Sequence, residues 1–167
     1  MSADAVQDRY PDDFAHCYGC GRLNPHGLHV RSRWDGDETL ATLLPQPHHT
    51  AVPGFVYGGL IASLIDCHGT GSAALAAERA ALERGAAQPD DPPPRFVTAA
   101  LRVDFVRPTP LGVPLEARGR IVEMKERKVV VAITVSAGRE VCARGEVVAV
   151  RMPVGMRAGG GGLAAAG

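Results

Sequence analysis

Four residues near the middle of the chain are suited to acid–base chemistry and follow the repeat of a helix. Gly59, Ser63, Asp66 and Thr70 are spaced at i, i+4, i+7 and i+11, so on a helix they share one narrow stripe. Asp66 is the ionisable member, and a carboxylate on a buried helix is costly without partners. It serves either as a hydrogen-bonded structural group or as a catalytic base or nucleophile. We favour the second interpretation, in which the stripe is a wall of an active site.

Two glycines, Gly58 and Gly59, stand at the expected start of this helix. The first N–H groups of a helix have no intrahelical acceptor and carry partial positive charge. They can therefore stabilise an oxyanion that develops on a substrate carbonyl, and glycine lets the substrate oxygen approach the backbone. A glycine pair also suits close packing of a helix on a sheet. For the pair taken alone, both interpretations stay open.

The spacing between Gly58 and Asp66 predicts an oligomer. Eight residues of helix place them roughly 12 Å apart along its axis, so both cannot contact one carbonyl group. A site that uses both needs Gly58 from one subunit and Asp66 from another, on antiparallel helices related by a two-fold axis. We therefore expect at least a homodimer, and the choice between dimer and tetramer stays open.

The surrounding elements give the order β-β-long helix-β-β-β-β. Residues 28–34 and 38–44 form two strands joined at Asp35-Gly36, a hairpin signal. The helix runs from Tyr57 to about Arg84 and ends at Gly85. After a loop with three successive prolines, four more strands are predicted at 96–107, 115–124, 128–136 and 140–152. In the first of these, alternation places one set of residues on a single face: Val97, Ala99, Leu101, Val103 and Phe105.

This order indicates an α+β fold, a curled antiparallel sheet of about six strands wrapped around one long central helix. We divide the chain into a flexible N-terminal segment (1–13), a single domain (14–153) and a flexible Gly/Ala-rich tail (154–167). The charge is balanced, with 18 basic and 18 acidic residues, which argues against a broad nucleic-acid surface. We expect no membrane partner and, because the N-terminus lacks a signal pattern, a cytoplasmic location.

Three segments resemble the PaaI-like family of hotdog-fold thioesterases. Residues 53–73 resemble its central-helix signature, in which a histidine and two glycines stand nine residues before an acidic residue. Here Tyr57-Gly58-Gly59 stands nine residues before Asp66, with tyrosine in the place of the commoner histidine. Residues 17–28 are similar to the C-x-G-C-G…N-P-x-G-L opening of one branch, and residues 103–112 to the strand that follows the helix.

The resemblance implies a hotdog fold and hydrolysis of acyl-coenzyme A to free acid and coenzyme A. It implies that Asp66 acts as general base or nucleophile, an alternative that the sequence leaves open. It further implies that the Gly58 amide of the neighbouring subunit is the oxyanion donor and that Thr70 orients the attacking water. No cofactor is expected, since coenzyme A is part of the substrate.

Five residues are predicted to bind the substrate: His49, Tyr57, Gly59, Ser63 and Arg107. His49 matches a histidine of the similar branch and either lines the acyl pocket or caps the entry to the helix. Arg107 either meets the anionic end of coenzyme A or is a solvated strand-end arginine. Aromatic residues are only 5% of the chain, which favours an aliphatic acyl group.

The sequence also contains signals for other sites and functions. Cys17, Cys20, His26 and His29 have a spacing that can hold structural zinc, but we predict no metal. Cys67 and His68 are adjacent and point about 100° apart on a helix, which excludes a catalytic dyad. A hotdog dehydratase or hydratase needs an Asp–His pair, which Asp66 lacks. The remaining alternative is a hotdog module that binds acyl-CoA without hydrolysing it.

Overall fold

The computed structural model describes residues 4–156. Within them lie one helix, α1 (Gly58–Glu83), and six strands: β1 (Arg33–Asp35), β2 (Glu38–Leu43), β3 (Phe96–Phe105), β4 (Leu115–Met124), β5 (Lys128–Ala137) and β6 (Glu140–Arg151). All strand pairs are antiparallel, in the order β1-β2-β4-β5-β6-β3. The predicted order of elements and the α+β class are confirmed.

The core lies between α1 and the sheet, which curls around the helix. From Leu60 to Ala77 the helix is buried except along one stripe, because apolar residues occupy most of its circumference. The predicted end is also confirmed: Gly85 has φ 66°, and the N–H groups of Gly85 and Ala86 bond the carbonyls of Leu82 and Ala81. By length and composition α1 could cross a membrane, but 83% of its most apolar window is buried inside the molecule.

The first hairpin is shorter than predicted. Residues 28–32 are not in a strand, because their backbone groups bond residues between 6 and 19 instead of the sheet. Leu28 and Val30 donate N–H groups to the carbonyls of Tyr18 and Gly19, and Ser32 accepts from the N–H of Val6 at 2.9 Å. The pairing of β1 with β2 therefore begins only at Arg33.

The N-terminal segment packs into the domain. We predicted that residues 1–13 form a flexible segment outside it, but Val6, Gln7 and Tyr10 are buried. Arg9 also forms an ion pair with Glu78 of α1. The sequence does not indicate these contacts, because residues 1–13 are rich in acidic side chains and only a few of their residues are buried. Of the predicted tail, Val154–Met156 form a short 3-10 turn, and 157–167 lie outside the described residues.

A β-bulge changes which side chains of β3 face the helix. Thr98 pairs with Ala149 and Ala100 with Val148, so Ala99 is an extra residue. Opposed residues lie on the same face of a sheet, so Thr98 shares a face with Leu101 and Val97 does not. The predicted alternation from Val97 to Phe105 is wrong at its start, because a bulge shifts the period by one.

A polar network inside the core links the N-terminal segment, the first hairpin and α1. The His68 ring nitrogens lie 2.9 Å from Ser32 Oγ and 3.3 Å from Thr39 Oγ1. Gln7 Nε2 donates to Ser32 Oγ, and Thr39 Oγ1 lies 2.6 Å from Ser72 Oγ. Burial lowers the pKa of His68 to about 4, so this ring is neutral near pH 7 and satisfied by hydroxyl groups.

Candidate active site

The carboxylate of Asp66 is held by a residue of the sheet. Thr98 Oγ1 donates a hydrogen bond to Asp66 Oδ1, and the bulge at Ala99 sets the face from which Thr98 reaches it. Asp66 is only half-buried, although its neighbours Ile65 and Cys67 are buried. The structure therefore presents an oriented and accessible carboxylate on the wall of the core helix.

The stripe predicted from the sequence exists for three of its four members. Gly59, Ser63 and Asp66 are half-buried along one side of α1, as is Ala62 between them. Ser63 Oγ bonds the Gly59 carbonyl at 2.8 Å, so its hydroxyl is used within the helix. Thr70 is buried and donates to the Cys67 carbonyl at 3.2 Å. The exposed part of the stripe thus ends near Asp66.

The start of α1 has backbone donors with no protein acceptor. Within residues 4–156, the N–H groups of Gly58 and Gly59 form no hydrogen bond, and the first bond of the helix runs from Leu60 to Tyr57. Backbone bonds from Val56 to the Thr109 carbonyl and from Tyr57 to the His49 carbonyl, 2.9 and 3.0 Å long, fix this end. The two free N–H groups therefore form a rigid anion-binding position.

Two aromatic side chains border the glycines. A Cβ atom on Gly59 would lie 2.0 Å from the Tyr57 hydroxyl oxygen, so the Tyr57 ring folds back over the first turn. A Cβ atom on Gly58 would lie 3.1 Å from Cζ of Phe105. Tyr57 and Phe105 are 49% and 58% exposed. They form an apolar border around the free N–H groups.

Two grooves flank the start of the helix. One, of about 470 Å³, runs past Gly58 between Ile61 and Phe105 and includes Arg107. The Arg107 side chain is exposed and forms an ion pair with Glu140. A third groove, of about 530 Å³, lies at the opposite end of α1 beside Arg84. Asp66 does not line this groove, so we do not assign the active site to it.

His49 lines the other flanking groove, of about 530 Å³, together with Tyr18, Leu28 and Leu43. His49 Nδ1 accepts the Gln46 N–H at 2.9 Å, and partial burial, followed by the neighbouring His48, lowers the pKa of the His49 ring. The His49 carbonyl anchors the helix entry while its side chain lines the groove, so the two roles considered from the sequence belong to different atoms.

The structure brings the predicted residues together in two groups. Gly58, Gly59, Tyr57 and Arg107 surround the helix start, whereas Asp66 lies two turns further along α1. One group contributes backbone donors and the other a carboxylate. Within a single chain they do not form one site.

The four-residue zinc set weighed from the sequence is not assembled. His29 Nε2 lies 2.7 Å from the Asn24 carbonyl, and His26 lines the groove beside His49. The exclusion of a Cys67–His68 dyad is confirmed, because the Cys67 and His68 side chains bond different partners, Cys17 and Ser32. Among the described residues of one chain, the hydrogen-bond partner of the Asp66 carboxylate is Thr98 and not a histidine.

Thr98 and Phe105 are candidate site residues that the sequence pattern does not identify. The pattern indicates only that both lie on a strand. The sole signal for Thr98 is a hydroxyl among apolar and small residues in the segment Phe96–Leu101. Without the bulge, alternation places that hydroxyl on the wrong face, so the sequence pattern hid it.

A six-stranded antiparallel sheet curled around one long helix, with an accessible acidic residue on that helix, defines a hotdog protein with a candidate hydrolytic site. The family model of the thioesterase superfamily matches residues 53–144, more than half of the chain. No curated protein matches the chain.

Solved structures agree with this match. A thioesterase superfamily protein from Shewanella loihica PV-4 is 52% identical, with a TM-score of 0.64, and the match covers 85% of this chain and 98% of that one. The E. coli PaaI protein from the phenylacetic acid degradation operon is 16% identical, with a TM-score of 0.58 over 75% of this chain and 81% of that one. Thioesterase HI1161 from Haemophilus influenzae is 16% identical, with a TM-score of 0.61, and the match covers 80% of this chain and 85% of that one. The last two show the fold alone.

The chain belongs to the thioesterase superfamily and has the hotdog fold. The predicted fold and the resemblance to thioesterases are confirmed. Its activity class is that of a thioesterase.

Proposed function

We propose that the protein hydrolyses an acyl-CoA thioester to free acid and coenzyme A, with Asp66 as the catalytic carboxylate. The observation that carries this proposal is the half-buried Asp66 on the core helix, oriented by the hydroxyl of Thr98. An ionised carboxylate at such a position accepts a proton from water or attacks a carbonyl carbon directly. In the second route the acyl–Asp66 anhydride is then hydrolysed by water, so both routes yield the free acid and coenzyme A.

The free N–H groups at the start of α1 supply the electrophilic half of the site. In the proposed reaction, the thioester oxygen accepts a hydrogen bond from the N–H of Gly58. When water attacks, Asp66 takes its proton and negative charge develops on that oxygen. The tetrahedral intermediate then expels the coenzyme A thiolate, which takes the proton held by Asp66 and so regenerates the carboxylate. Loss of one oxyanion donor of this kind typically costs about 2.7–4 kcal/mol of barrier.

The active unit is proposed to be a homodimer in which each site combines Asp66 of one chain with Gly58 of the other. Two features support it. The only incompletely buried stripe of α1 between Leu60 and Ala77 is the one with Ser63 and Asp66, a surface suited to a second helix. In addition, among residues 4–156 no strand pairs with the outer edge of β3.

That outer edge is a surface that a second chain would cover. β3 has ten residues, and its exposed side chains include Leu101 and Phe105, which are 42% and 58% exposed. A long edge strand with exposed apolar residues tends to pair with another strand. Pairing there would place two copies of α1 side by side, and further association to a tetramer is not required by the site.

Substrate groups are assigned to the two grooves beside the helix start. We assign the acyl part to the groove of Gly58, Ile61 and Phe105, with Tyr57 as its border. Arg107 at the end of this groove is positioned for a phosphate of coenzyme A, which would replace Glu140 as its partner. The second groove, with His49, is available for the remainder of the substrate.

The decisive test is a coenzyme A release assay with a thiol reagent over short, medium, long and aryl acyl-CoA thioesters. Asp66→Asn keeps the shape of the side chain but removes its basicity. It is expected to reduce turnover of the best substrate by about a hundredfold or more. Asp37→Asn, in the exposed β1–β2 turn, is the matched control and should retain full activity.

Binding of acyl-CoA without turnover by the wild-type protein would replace the enzyme with a binding module. Equal activity of Asp66→Asn and wild type would remove Asp66 from the chemistry while leaving the thioesterase class intact. The substrate panel decides separately between aliphatic and aryl acyl groups.

A further inference from the structure

Three cysteine sulfur atoms converge at the junction of the N-terminal loop and α1. The Sγ atoms of Cys17, Cys20 and Cys67 all lie within 4.8 Å of one another, and Cys17 Sγ is 3.8 Å from Cys67 Sγ. Cys20 and Cys67 are buried and Cys17 is half-buried. Cys67 directly follows Asp66 in the helix, so the cluster lies beside the candidate active site without being part of it.

The separations match those of thiolates around one metal ion. With Zn–S bonds of about 2.3 Å, two sulfurs of a tetrahedral site lie about 3.8 Å apart, which is the Cys17–Cys67 distance. The partial exposure of Cys17 leaves one side open for water as a fourth ligand. A disulfide, by contrast, has sulfurs about 2.05 Å apart and joins only two of the three.

The loop that carries Cys17 and Cys20 is shaped around the sulfurs. The Gly21 N–H bonds the Cys17 carbonyl at 2.7 Å, which closes the turn that carries Cys17 and Cys20. A Cβ atom on Gly19 would lie 2.1 Å from Cys67 Sγ. Glycine at this position is therefore what allows the loop to reach the third cysteine.

A cation balances the charge that three thiolates would bring. Arg95 Nη2 lies 4.0 Å from Cys20 Sγ, and its guanidinium stacks 4.7 Å from the centre of the Tyr10 ring. Three thiolates and one divalent ion have a net charge of −1, which one guanidinium offsets. Outer groups that fix ligands in this way are typical of metal sites.

We propose that Cys17, Cys20 and Cys67 bind one thiophilic divalent ion, with Zn²⁺ as the ion that fits the sulfur geometry and water as its fourth ligand. The ion would fasten residues 14–21 to α1 next to Asp66. This proposal does not depend on the substrate or on the catalytic roles proposed above. Cys142 is buried in β6, and its Sγ bonds the Glu140 carbonyl at 3.4 Å, so it provides a matched control.

The test is titration of the reduced, chelator-treated protein with Co²⁺, followed by displacement with Zn²⁺. Wild type and Cys142→Ser are expected to bind one Co²⁺ per chain, with thiolate-to-cobalt charge-transfer bands that Zn²⁺ abolishes. Cys17→Ser, Cys20→Ser and Cys67→Ser should each lose these bands. In wild type alone, Zn²⁺ should protect the same three thiols from alkylation, as mapped by mass spectrometry, which does not depend on the variants folding.

The proposal is overturned if reduced wild type binds no stoichiometric Co²⁺ or Zn²⁺, or if binding persists in all three serine variants. Alkylation that Zn²⁺ does not slow at any of the three thiols has the same meaning. A disulfide between two of them that re-forms without reductant, in protein that takes up no metal once reduced, would identify a redox pair instead.

Discussion

The contact between Asp66 and Thr98 couples the core helix to the sheet at the point where chemistry is proposed. A carboxylate on a helix has rotational freedom that a single hydroxyl donor removes, and hydrogen bonds to charged groups are among the stronger ones. Because Thr98 is on β3 and Asp66 on α1, the carboxylate is oriented by an element that also forms the free edge of the sheet. Thr98 is thus a positioning residue.

We expect Thr98→Val to reduce kcat by about 10- to 100-fold, because a hydrogen bond to a charged group contributes about 1.5–3 kcal/mol. Valine keeps the branched shape, so the strand should be preserved. The measurement is steady-state turnover with the best acyl-CoA, and Thr98→Ser, which retains a hydroxyl, should recover most of the activity.

Two comparisons separate positioning from a structural effect. Thr42→Val, at an exposed position on β2, should leave kcat unchanged. In an Asp66→Asn background, Thr98→Val should cause little further loss, because residues that act as a unit are not additive. Fully multiplicative losses would show that Thr98 acts independently of Asp66.

At the scale of elements, α1 is a core helix whose buried histidine is hydrogen-bonded by two residues from outside the helix. His68 is fully buried, and its two ring nitrogens are satisfied by the hydroxyls of Ser32 and Thr39. The neutral ring is therefore part of the packing, and a protonated ring would be a buried charge without solvation. The element that carries Asp66 should lose stability when this histidine is forced to ionise.

His68 should make the stability of the protein depend on pH between about 6.5 and 4. Its pKa is lowered from 6.5 to about 4 by burial, so as pH falls the unfolded chain binds the proton first. The stabilisation is complete above pH 6.5 and is lost progressively as pH falls towards 4, by about 3 kcal/mol in total. His68→Gln should abolish this component of the pH dependence.

The measurement is urea unfolding of wild type and His68→Gln at several pH values and one protein concentration. The difference between their free energies of unfolding isolates the His68 contribution, because the carboxylates contribute equally to both proteins. His26→Asn, at an exposed site, should behave as wild type. Parallel pH profiles for wild type and His68→Gln would mean that the ring is protonated without cost in the folded protein.

The elements differ in how far their sequences determine them. α1 and β3 to β6 were predicted within about two residues, because long periodic segments and their end signals, such as Gly85, are local properties. The short β1, the packed N-terminal segment and the bulge at Ala99 depend on contacts between distant residues. Asp66 and Gly58 were found from spacing and resemblance, whereas Thr98 required the bulge.

At the scale of the whole molecule, the proposed reaction needs two groups that a single chain holds apart. The free N–H of Gly58 and the carboxylate of Asp66 are separated by roughly 12 Å of helix, too far for both to contact one carbonyl group. A two-fold axis beside the exposed stripe would bring each half to its complement. The dimer proposal therefore predicts the activity of a heterodimer in which one chain is substituted at Gly58 and the other at Asp66.

Gly58→Pro and Gly58→Ala form a matched pair that isolates the backbone donor. Proline is tolerated at the first position of a helix and lacks the N–H, and Tyr57 already has the extended backbone, with ψ 139°, that precedes proline. Both substitutions add a Cβ beside Phe105, but only proline removes the donor. Gly58→Pro should therefore lose about 10²- to 10³-fold more kcat than Gly58→Ala.

Differently tagged Gly58→Pro and Asp66→Asn chains, co-expressed and purified through both tags, give a heterodimer that decides which subunits form a site. If each site combines two chains, one site of this heterodimer carries both lesions and the other carries none, so it should recover about half of wild-type activity. Each variant homodimer stays inactive. If Gly58 and Asp66 of the same chain formed the site, every site in the heterodimer would carry one lesion. The heterodimer would then be as inactive as its parents, and the shared site would have to be abandoned even if Asp66 remained essential.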